Sequence, residues 1–263
     1  MTGAWLRALE RHAKVVTWLA VLGWLAYIAG AMASGRRFRP GWLFTLFLIF
    51  VAAGLLAAWV ASRRRMAIRE GRLPVLPKRK LRQQYPQLEA KDADLVERGF
   101  RQFFMACSRS NGKQVAMPSK AVDAYWHELI LDTRSYAEWC ERTLGRFLHH
   151  VPAERLGGDP AANDGLRRAW FFACKDEAID PRKPSRLPLL FALDAKLAIP
   201  GGVIYSPRPR PAGSRGQSDG GAGITYGDDF ADASFSGDAD AMGGADAGGD
   251  GSGDGGGCSG GGD

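Results

Sequence analysis

The chain has four histidines, and three of them, His127, His149 and His150, fall within 24 residues. Asp123 stands four residues before His127, one helical turn away, where a carboxylate can orient an imidazole. Cys140 follows thirteen residues after His127, with Tyr136 one turn before it. Zinc accepts imidazole nitrogen and thiolate sulfur, so His127, Cys140, His149 and His150 make a candidate metal set, with Asp123 behind it as an orienting group. No CxxC or HxxxH spacing tightens that set. A structural reading accounts for the same residues: an Asp123–His127 helix hydrogen bond, a small core thiol, and a histidine pair at a helix C-terminus. A Cys140–His149 nucleophilic pair would need an orienting group and an oxyanion hole, and no residue pattern marks either. No glycine loop follows a strand to cradle a phosphate.

These residues need helices to position them. Lys91 to Ser110 carries apolar residues at helical spacing, opens with Asp92 and Asp94, and ends at Asn111-Gly112. Pro118-Ser119 opens a second helix, with Val122, Tyr125, Trp126, Leu129 and Ile130 on its inward stripe. Asp132-Thr133 caps a third, in which Tyr136, Trp139, Cys140, Leu144 and Phe147 recur, with His149-His150 at its end. A fourth is predicted over Ala161 to Ala178. Gly201 to Tyr205 has the composition of a short strand or extended closing segment.

Charge divides the chain into three unlike parts. Residues 1–82 hold 15 Lys/Arg against Glu10 and Glu70, a net charge of +13. Residues 83–211 are near balance at +3, and residues 212–263 hold 19 of the 34 glycines and ten aspartates against Arg215, a net −9. The overall +7 therefore describes no single region, and it is no nucleic-acid footprint.

Val15 to Ala33 and Gly41 to Ser62 are free of charge for 19 and 22 residues, and apolar all round. Each is long enough to cross the roughly 30 Å of a bilayer core. Twelve cations lie before the first run and after the second, against Arg36, Arg37 and Arg39 between them. The positive-inside rule then puts both termini and the helical region in the cytoplasm, in an inner-membrane multi-pass protein. A cleaved signal peptide ending at Ala31-Met32-Ala33 is the rival reading, and it leaves the later chain on the same side. Cys107, Cys140 and Cys174 are then expected as thiols.

The expected organisation is a transmembrane hairpin over 1–62, a basic linker over 63–87, a helical domain over 88–206 and a disordered Gly/Asp-rich tail over 207–263. The linker, with Pro74 and Pro77, reads as an extended stretch against anionic headgroups. The fold class is mainly α: the hairpin, a small cytoplasmic helical bundle, and the tail. The tail has too little apolar surface to offset the entropy of ordering its glycines.

The helical region also resembles a known family. Met117-Pro118-Ser119, VDAYWHELILDTRSYAEWC and GRFLHHVP are similar to the signature of the glycine-rich-domain-containing-protein-like family, a domain of unknown function. The matching positions are Asp123, Trp126, His127, Tyr136, Trp139, Cys140, Gly145, His149, His150 and Pro152. The resemblance implies a helical fold beside a glycine-rich segment and supplies no reaction. The expected role is binding or scaffolding rather than turnover, with the bilayer, anionic headgroups and an unidentified protein as partners. The rival is a membrane-tethered metal-dependent enzyme built on the histidine cluster.

Overall fold

Two long apolar helices open the chain in the computed structural model, which describes residues 2–36, 40–150, 164–207 and 224–226. Helix α1 spans Thr2–Ala33 and α2 spans Pro40–Glu70. The two pack together, with Tyr27 and Trp42 edge to face at 6.5 Å. Their remaining apolar surface is bare: Trp18, Leu19, Phe44 and Leu55 are all more than 60% exposed. Both helices are long and apolar enough to cross a membrane.

The fold is mainly α. Among the described residues six more helices follow: α3 (Leu76–Gln84), α4 (Ala90–Arg109), α5 (Lys120–Leu131), α6 (Thr133–Thr143), α7 (Asp164–Asp176) and α8 (Leu189–Lys196). Strand β1 (Ile204–Ser206) pairs in parallel with β2 (Ile224–Tyr226), Ile204 opposite Ile224. The chain divides into two units, Met1–Ala93 with Ala124–His150, and Asp94–Asp123 with Val151–Asp263. Helices α4 and α5 run through the divisions.

In the first unit, α2 continues past the apolar run and packs on α6. Gly71, just beyond its end, lies so close that a Cβ there would sit 2.9 Å from the Trp139 ring. Arg64 donates to the Leu144 carbonyl at 3.2 Å, placing a cation on the last turn of α6, where the helix dipole favours it. Ile68, Leu81, Tyr136, Trp139 and Cys140 are buried here.

In the second unit, Asp194 is buried and collects donors from separate segments. It accepts from the Ser119 hydroxyl (2.7 Å), the Lys120 and Ala121 amides (2.7 and 3.1 Å) and the Val203 amide (3.0 Å). Ser119 in turn accepts from the Val122 amide, so the start of α5 is capped twice. Glu177 is a second such centre, accepting from Gln102, Arg186 and the Leu189 amide. The aromatic core of this unit contains Phe100, Phe103, Phe104, Trp170 and Phe191. Trp170 and Phe191 meet edge to face at 5.1 Å.

Several expectations change. The stretch after Ser62, expected to be extended, is largely helical: α2 runs on to Glu70, and α3 fills Leu76–Gln84. Arginine is a good helix former, and Pro77 sits in the first turn of α3, where its missing N–H costs nothing. The third expected helix stops at Thr143, short of Phe147, because Gly145 takes a left-handed φ of +68°. His149 and His150 thus lie beyond the helix rather than at its end, and Phe147 is exposed rather than inward. Helix α8 carried no expectation, since Leu189–Lys196 is short and mostly apolar. The tail expectation meets an exception at β2, and apart from Pro207 its other residues lie outside those described. Residues 161–163 of the fourth expected helix lie outside them as well.

Candidate functional site

Helix α5 carries Asp123 and His127 one turn apart on one face, as the four-residue spacing requires. The helix exists there because Ser119 and Asp194 satisfy its first amides and because Val122, Tyr125, Trp126 and Leu129 bury its opposite side. His127 is exposed and Asp123 half-buried.

His150 reaches α5 because the chain turns at Gly145. The fold-back is pinned by a relay of two aromatic side chains. The Trp126 indole N–H donates to the Tyr136 hydroxyl at 3.1 Å, and that hydroxyl donates to the Leu148 carbonyl. The His150 ring then lies 4.6 Å from the Trp126 ring and 4.4 Å from the His127 ring, centroid to centroid. Asp123, His127 and His150 each present a ligand atom, and these atoms lie within 4.8 Å of one another.

The other two candidates stand elsewhere. His149 is exposed and turned to Phe147, with ring centroids 5.0 Å apart. Cys140 is fully buried on the inward face of α6. Burial pushes its thiol pKa up, against the opposing influence of the Leu148 backbone, the Tyr136 hydroxyl and Arg146. A metal or a nucleophilic reaction requires the thiolate, which this environment disfavours. Cys174 is held further from ionisation, pushed up to about 12 by burial and then by Glu177 and Asp180. Both are free thiols.

Trp126 and Tyr136 are the residues that sequence reasoning undervalued. Both fall on inward stripes and read as core, yet their polar atoms fix the course of the chain to His150. The signal that could have found them is chemical: a buried indole N–H and a buried phenol each need a partner.

Residues 63–225 match the family model described as UCP032817-like. The chain belongs to the UCP032817-like family. This is an uncharacterised family, and membership carries no assigned activity. The matched segment begins within α2 and ends within β2, so it includes the basic stretch after Ser62 as well as every candidate site residue. No curated protein and no solved structure matches the chain.

Proposed function

We propose that this family member is a membrane-anchored binding module, with α1 and α2 crossing the inner membrane and the helical region on the cytoplasmic side. The observation that carries the reading is the bare apolar surface of two long helices, with Leu55 68% exposed and Trp18 67%. A core helix of a soluble protein buries such residues, and an aqueous surface of this extent would aggregate. The cation asymmetry across the spans supports the cytoplasmic placement. Arg63, Arg65, Arg69 and Arg72, all exposed, suit contact with anionic headgroups. A binding role fits the second unit, where the charged groups Asp194 and Glu177 are engaged in holding helix ends and loops. The Gly145, His149-His150 motif beside a glycine-rich tail supports kinship with glycine-rich-domain-containing proteins.

A second reading, a membrane-tethered metal-dependent enzyme built on the histidine cluster, draws on the approach of His127 to His150, with His149 turned away to Phe147. Fractionation with an alkaline carbonate wash tests the anchoring. The full chain is expected to stay with the membranes, and removal of residues 1–62 to release it. A C-terminal reporter active in the periplasm would overturn the orientation.

A further inference from the structure

We propose that Asp123, His127 and His150 bind one divalent transition-metal ion, zinc being the best fit, in a three-ligand site open to solvent. The proposal rests on neither membrane anchoring nor turnover. Two imidazole nitrogens and one carboxylate oxygen select zinc-like or iron-like ions over calcium and magnesium, which take oxygen shells. Ligand atoms of the three residues already lie within 4.8 Å of one another. Zinc holds N and O donors at about 2.0–2.2 Å, which places tetrahedral donors about 3.3 Å apart. Closing from 4.8 Å needs a shift of about 1.5 Å, within reach of side-chain rotation at Asp and His.

The supports around the site suit this role. Asp123 and His127 ride on one continuous helix, so their spacing is fixed by α5 itself. His150 is placed by the Trp126–Tyr136–Leu148 relay and packs on the Trp126 ring. Three protein donors leave a fourth position vacant, as in zinc sites that bind water or a substrate, and exposed His127 leaves a route to it. Cys140 is excluded from the ligand set by burial and by its contacts with Tyr136 and Leu148, and His149 by its place against Phe147.

The test uses the untagged full chain in detergent, stripped with chelator and titrated with Zn(II) and Co(II). One equivalent of metal per chain is expected, with visible cobalt bands of N/O ligation and no thiolate charge-transfer band. His127→Ala and His150→Ala are each expected to weaken binding at least roughly 100-fold, the upper end of what outer-shell changes produce, whereas His149→Ala leaves it unchanged. Circular dichroism checks that each variant is folded. A second measurement needs no variant: bound zinc should protect His127 and His150, and not His149, from diethyl pyrocarbonate. Absence of stoichiometric binding, a thiolate band, or equal protection of His149 would overturn the site.

Discussion

Asp194 and Asp123 are two carboxylates that serve the same helix, and they are used differently. Asp194 is buried and accepts from one hydroxyl and three amides, so its oxygens are committed to holding the start of α5 and the loop before β1. Asp123, one turn further along, is half-buried and faces two imidazoles. The first carboxylate is spent on the fold. The second lies where the fold brings ring nitrogens together. Deep burial among the amides of distant segments marks the scaffold carboxylate, and a half-buried place beside two imidazoles marks the site one.

The sharpest way to break that contrast is Asp194→Ala. It removes charge-assisted bonds and leaves the Lys120, Ala121 and Val203 amides without their acceptor, which should cost about 4 kcal/mol or more. Loss of the cooperative thermal transition in the purified chain is the expected result, and a melting point near that of the parent would refute the assignment. A smaller effect is expected at Gly145→Ala. The left-handed φ costs an alanine about 1–2 kcal/mol, and the new Cβ would collide with the Arg64 guanidinium. Denaturant titration should show that loss, together with weaker metal binding because the turn delivers His150.

Glu177 provides a pH-dependent test. Burial works to raise its pKa, but the Leu189 amide, Gln102 and Arg186 outweigh it, so the folded value lies below the ordinary 4.5. Its contribution is therefore fully present above 4.5 and fades as pH falls through the lowered folded value. Melting curves from neutral to acid pH should show this decline, and Glu177→Gln should reduce it. The smallest expected effect is at the site itself. His127→Ala, at an exposed position, should change metal-free stability by no more than about 0.5 kcal/mol. A larger loss would make His127 a structural residue and erase its contrast with Asp194.

What was legible in the sequence was local. Helices α4 to α7 followed from apolar periodicity and from caps such as Ser119 and Asp132, whose carboxylate does accept from the Ser135 amide. The Asp123–His127 turn was legible for the same reason. The choice between His149 and His150 was not, since neighbouring residues in an irregular segment point apart, and their directions depend on where Gly145 ends α6. Nor was Asp194, which lies 73 to 75 residues from its partners at the start of α5. Helix α3 was obscured because two prolines suggest extension until one is known to occupy a first turn.

The unbroken run of α2 into contact with α6 makes the connection a drive shaft rather than a tether. Arg64 grips the α6 end only two residues past Ser62, and Gly71 seats against Trp139. If α2 crosses a bilayer as proposed, any twist or tilt of it would be handed to α6 without slack. One alanine inserted between Val60 and Arg63 would turn the lower segment by about 100° and advance it about 1.5 Å. The α2–α6 seam would then have to break, or α6 would have to follow the turn.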